Sequence, residues 1–201
     1  VYTDPEGKEA VTDDIIMEGS NIVRDEIHQL QTNQSGIMEV KDGRIYFTKT
    51  VDGKSSTKDE KLKDTFVVSG NFQKFIKDHW QPIADGKTVS FRYGVWDRQE
   101  TVGFEIFKIG AEKFDGKDAV ILKMKPSSFI IAALVNPIIF EYAADGSHLL
   151  AMNGRVPMKK KSGNSWKDLD AEVIYSYNEA APATANPTPA VAVPAAEPAK
   201  K

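Results

Sequence analysis

The chain reads as a mainly β, α+β protein: a curved antiparallel sheet, or incomplete β-barrel, enclosing one or two short helices. Two observations carry this. Asp-Gly pairs recur at 42–43, 52–53, 85–86, 115–116 and 145–146, each beside a strand-like stretch, which is the punctuation of a hairpin meander. Between them apolar residues alternate with polar ones. In "VSFRYGV" Val89, Phe91, Tyr93 and Val95 alternate with Ser90, Arg92 and Gly94, a period of two that gives a strand one dry and one wet face.

Taken in order, "GRIYFTKTV", "KTVSFRYGVW", "GFEIFKIG", "KDAVILKMK", "SHLLAMNGRV" and "EVIYSY" are the expected strands. One helix is expected near 71–80, capped by Gly70-Asn71 and ended by Gln81-Pro82. Its "FQKFIKDHW" sets Phe72, Phe75, Ile76 and His79 on one face, which packs most simply against the sheet. A second helical insert is expected near 128–135. The folded part is read as a single domain over 1–178. From 179 to 201 the chain holds half of its ten prolines and almost no large apolar side chain, so it is read as a disordered Pro/Ala tail.

Composition narrows the function classes. The 201 residues are 41% hydrophobic and 27% charged with a net charge of -3, which suits a soluble globular core and gives no general attraction to nucleic acid. The absence of cysteine removes thiol catalysis, disulfides and thiolate metal sites. The chain opens at Val1 with no apolar signal core, which fits a signal peptide already removed or a sequence trimmed at its start. A periplasmic or otherwise exported setting is therefore expected.

No catalytic, cofactor or metal motif is complete. His28, His79 and His148 have no partner at ligand spacing, and there is no G-x-S-x-G, P-loop or G-x-G-x-x-G. The cluster "WDRQE" reads as a turn with an Arg98 ion pair. A hydrolase built on Asp97 and Glu100 is the weakest reading. "DPEGKEAVTDD" and "DGKSSTKDE" are oxygen-rich but fit no calcium loop, and read as solvated turns. "RVPMKKKSG" holds the one compact basic cluster of the folded part, Arg155 with Lys159, Lys160 and Lys161, read as a hairpin tip able to steer an anionic head group.

The segment "KPSSFIIAALVNPIIFEY" is the distinctive local feature. Its apolar run, broken by a proline, is too short for a span that needs about 20 residues. Asn136-Pro137 divides a two-turn helix, capped by Ser127 or Ser128, from a strand. A helix apolar on every side needs cover on every side. It is expected to plug the concave face of the sheet. If the sheet is open, Phe129, Ile130, Leu134 and Val135 line a greasy cavity or form an exposed patch that marks a binding site, with Phe72, Phe75 and Trp80 as further contacts.

The stretches "VYTDPEG", "GNFQKFIKDHWQPIADGKTVSF" and "KPSSFIIAALVNPIIFEY" followed by "LLAMNGRV" resemble a family of signal-peptide-bearing proteobacterial envelope proteins, over most of 1–178. The shared motifs are structural, and no active-site residue carries over. More distantly, the expected architecture resembles the half-barrel of periplasmic lipoprotein carriers of the LolA and LolB type, which implies a fold and no specific ligand.

The expected function is that of an exported envelope protein binding a lipid-like or lipidated ligand non-covalently in the concave face of its sheet. Its expected site is Phe72, Phe75, Trp80, Phe129, Ile130, Leu134 and Val135, with Arg155 and Lys159 to Lys161 at the rim. The alternative is a structural or protein-interaction module of the envelope without a small ligand. Expected partners are a lipid or lipoprotein, or another envelope protein. Neither cofactor, metal, nucleic acid nor transmembrane segment is expected.

Overall fold

The computed structural model describes residues 1–19, 21–63 and 65–177, together with Pro189–Pro194. The tail read over 179–201 otherwise lies outside the described residues. Two sheets make up the fold. The first holds β1 (Tyr2–Thr3), β2 (Glu9–Glu18), β3 (Asn21–Gln29), β4 (Gln34–Lys41), β5 (Arg44–Val51) and β6 (Lys54–Lys61), paired in chain order and antiparallel throughout.

The second sheet curls into a half-barrel. Its strands β7 (Phe66–Val67), β8 (Val89–Val95), β9 (Glu100–Phe114), β10 (Lys117–Pro126), β11 (Ile138–Ala143), β12 (Leu149–Ser162), β13 (Ser165–Tyr175) and β14 (Pro189–Pro194) also pair in chain order. All neighbours are antiparallel except the short edge strand β7, which runs parallel to β8. Among the described residues three short α-helices complete the fold, α1 (Ser69–Asp78), α2 (Trp80–Ala84) and α3 (Phe129–Ala132), with one 3-10 turn at Leu30–Thr32.

Turn chemistry accounts for much of this order. At Asp42-Gly43, Asp52-Gly53 and Asp115-Gly116 both residues have positive φ, the conformation whose twist matches a two-residue hairpin. Asp145-Gly146 joins β11 to β12, whereas Asp85-Gly86 closes α2 ahead of β8. In β12 the register slips between Val156 and Lys159, where Pro157 has no N–H to give to the ladder.

The main core lies where α1 meets the second sheet. Phe72, Phe75 and Ile76 pack with Phe91, Ile106, Leu122, Phe140 and Tyr142, so the helix face predicted from spacing is the buried one. Ring centroids of Phe75 and Phe91 are 4.8 Å apart, and those of Phe72 and Phe140 5.1 Å. Burial of each such ring contributes about 1.5–3 kcal/mol. A second core, under the first sheet, gathers Ile22, Met38, Ile45 and Phe47. Phe66 and Val68 join that core although Phe66 and Val67 pair with β8, so this segment is common to both layers.

Three local expectations change. Asn71 is not the cap of α1 but lies inside its first turn. Its Oδ1 accepts the Val68 N–H at 2.8 Å and its Nδ2 donates to the Phe66 carbonyl at 3.1 Å, the reciprocal half of a capping box. Pro82 does not end the helical segment, because α1 stops at His79 and a new helix starts at Trp80. This sets Pro82 in a first turn, where a missing N–H costs no bond. The apolar segment after Ser128 is a single turn, not a two-turn plug. It connects β10 to β11, which are direct neighbours, and so projects past their ends. The inside is occupied by α1 instead. No helix among the described residues is long and apolar enough to cross a membrane.

Candidate functional site

Pro126 ends β10, and Ser127 anchors the connection to β11: its N–H donates to the Gly103 carbonyl at 2.9 Å. Beyond Ser128 the chain turns once as α3 and returns through Pro137 into β11. Four of the five large apolar side chains of this connection stand out in solvent, Ile131 being half-buried. Phe129 is 88% exposed, Ile130 74%, Leu134 80% and Val135 38%. Isolated exposed apolar residues are ordinary, but four on one seven-residue loop form a patch.

The far end of the loop is tied to the basic hairpin. Asn136 Nδ2 donates to Asp170 Oδ2 at 3.3 Å, and Arg155 Nε donates to Asp170 Oδ1 at 2.7 Å. Arg155 also pairs with Asp168, to which Lys159 Nζ donates at 2.6 Å. The Lys159 hydrogen bond, with Arg155 beside it, holds the Asp168 carboxyl below the usual range. Of the four expected rim cations, the structure therefore brings Arg155 next to the apolar loop, while Arg155 and Lys159 are partly neutralised. Lys160 and Lys161 continue out along the hairpin and have no ion pair among the described residues.

The other expected ligand contacts do not join this patch. Phe72 and Phe75 are in the core. Trp80 is partly buried, 5.7 Å from the Tyr142 ring and lying over Gly146, where any Cβ would overlap the indole. Phe75 does border a cavity of about 460 Å³ between the first sheet and α1, within the size range of small-ligand pockets. Ile22, Val40, Leu62 and Phe66 line it, as do the polar side chains of Lys74, Asp78 and His79. Lys74 is paired with Asp78 at 2.8 Å, and His79 Nδ1 is 2.8 Å from the Phe75 carbonyl. The apolar loop lines neither this cavity nor the open cleft beside Lys49, Lys54, Lys58 and Arg98.

Asp97 lies in the turn between β8 and β9, and Arg98 pairs with Glu100 at 2.7 Å. "DPEGKEAVTDD" is mostly strand rather than turn: β2 begins at Glu9, which sends Asp13 inward. Sequence reasoning missed that residue and its neighbour Asp25. The available signal was an acidic side chain in the inward register of an alternating strand, in Val11, Asp13, Ile15 and Met17. Among the described residues no group of three or more His, Asp or Glu is arranged to hold a metal ion.

An exposed apolar loop beside a partly neutralised basic hairpin is thus the principal surface feature. No family model, curated protein or solved structure matches this chain. The site is accordingly read from its own chemistry: hydrogen-bonding groups fix the base of the loop at Ser127 and Asn136, and its crown offers only dispersion and the hydrophobic effect.

Proposed function

We propose that this protein binds a lipid-like or lipidated ligand non-covalently, and that the loop over residues 129–135 is its apolar contact. The exposure of Phe129, Ile130 and Leu134 carries this reading. Covering one such side chain contributes about 1.5–3 kcal/mol, and an acyl chain adds about 0.8 kcal/mol for each methylene buried. Lys160 and Lys161, without an ion pair among the described residues on the hairpin tied to the loop, favour an anionic head group, while Arg155 holds Asp170 at the loop's base. The concave face expected from the sequence is not the preferred surface, because α1 fills it with Phe72 and Phe75. The envelope setting rests on the family resemblance.

The test combines a fluorescent fatty-acid probe with lipid extraction of protein purified from its own host. The native chain is expected to bind the probe and to carry lipid. Leu134→Glu is expected to weaken probe binding by about tenfold or more, since 1.4 kcal/mol is a factor of ten, with circular dichroism and melting unchanged. If the native chain neither binds the probe nor carries lipid, the proposal fails in favour of an interaction module without a small ligand.

A further inference from the structure

A different part of the molecule holds an unusual pair of acids. Asp25, on β3, is 0% exposed, and neither of its carboxylate oxygens has a hydrogen-bond partner. Asp13, on β2, has a buried Oδ1 that is also unpartnered, while its Oδ2 accepts the Ser69 hydroxyl at 2.5 Å. In the β2–β3 ladder Asp13 is opposite Ile27 and Asp25 opposite Ile15. The two carboxyls are therefore diagonal neighbours on the same face, within side-chain reach.

Nothing cationic answers them: neither acid has a Lys, Arg or His ion pair among the described residues. The other titratable groups around the pair are phenols, Tyr2 from β1 and Tyr93 from β8, with Tyr175 of β13 near Tyr2. Burial pushes all three phenols up, with the carboxyls adding to the effect at Tyr2 and Tyr93. Two bare carboxylates facing each other without a counter-ion are strongly disfavoured. One proton between them removes the repulsion and turns an orphan acceptor into a donor.

We propose that Asp13 and Asp25 share one proton, and that this shared proton latches the first sheet onto α1 and the edge of the second. The mechanical link is already in place. Ser69, held by Asp13, opens α1, and at Gly70 the helix approaches β2 so closely that a Cβ would overlap Ile15. Phe66 and Val68, just before the helix, lie in the core of the first sheet. Removing the proton leaves two buried like charges at this joint and loosens it.

Burial, together with the facing Asp13 carboxyl, pushes the Asp25 carboxyl up to about 9. In the unfolded chain the same group ionises near the ordinary aspartate value of about 4. The stabilising contribution of the latch is therefore whole below about pH 4 and is lost progressively as pH rises towards 9, at roughly 3 °C of melting temperature per pH unit.

Infrared spectroscopy of the full chain with labelled aspartate, and melting curves from pH 5 to 10, test the latch. One protonated-carboxyl band is expected to persist at pH 7 in the native protein, to vanish in Asp25→Asn, and to titrate together with the melting temperature. Asp25→Asn is expected to flatten the melting profile over that range. If that variant does not fold, Asp13→Asn replaces the shared proton by an amide donor, and the band should then titrate at lower pH than in the native protein. A native protein with no protonated band at pH 7 overturns the proposal. So does a calcium-dependent rise in melting temperature at pH 7 that requires Asp25, which would make the pair a cation site.

Discussion

Asn71 shows how one buried side chain can hold a junction. It bonds the Val68 N–H and the Phe66 carbonyl at once, joining the start of α1 to β7 where both cores meet. Asn71→Ala removes both bonds and leaves a buried donor and acceptor without partners, so a loss of about 1–3 kcal/mol is expected in urea denaturation. Asp-Gly at 42–43, 52–53 and 115–116 was legible as turn chemistry, since few other pairs tolerate positive φ at both positions. Asn71 was legible as a capping residue but not in its position, because cap and third helical residue differ only in where the hydrogen bonds run. Asp13 and Asp25 were harder to find. Each is an ordinary strand acid until pairing of β2 with β3 puts them on one inward face.

Among the elements, α1 and the loop over residues 129–135 both carry large apolar side chains and meet opposite fates. Phe72 is buried against Phe91 and Phe140, whereas Phe129 has solvent around it. Phe72→Ala should therefore cost about 3–5 kcal/mol through lost burial and the cavity left behind. Phe129→Ala should change stability by no more than about 0.5 kcal/mol while reducing lipid-probe binding. Chemical denaturation of the two variants side by side measures this. A large loss of stability on Phe129→Ala would return the loop to the core. Helical spacing announced the buried face of α1, because polar residues mark its opposite face. The loop has no polar face, so its pattern demanded cover without naming any.

The two sheets are joined by more than the chain. Phe66 and Val68 pack under the first sheet, Val67 lies in the core of the second, and Asp13 holds Ser69 at the start of α1. Unfolding at neutral pH is accordingly expected to be a single cooperative event. Two tryptophans report on it independently: Trp96 packs against the core under the first sheet and Trp80 against the main core. With Trp166 replaced by Phe, variants that keep only Trp96 or only Trp80 should show coincident urea midpoints. Separate midpoints would mean that the layers unfold independently. This coupling was invisible in the sequence, where nothing in "TFVVSGN" marks Phe66 to Val68 as common to two sheets.

The amino-acid order by itself determined the local vocabulary: antiparallel strands set by alternation, hairpins set by Asp-Gly, and one helix with an aromatic face. Each of these depends on contacts within a few residues, which the order of side chains encodes directly. Tertiary structure alone decided that α1 rather than the apolar loop fills the half-barrel, and that Asp13 meets Asp25 beside Ser69. Periodicity tells which side of an element avoids water. It does not tell what will cover that side, because the answer depends on strands that meet only after the chain has closed on itself.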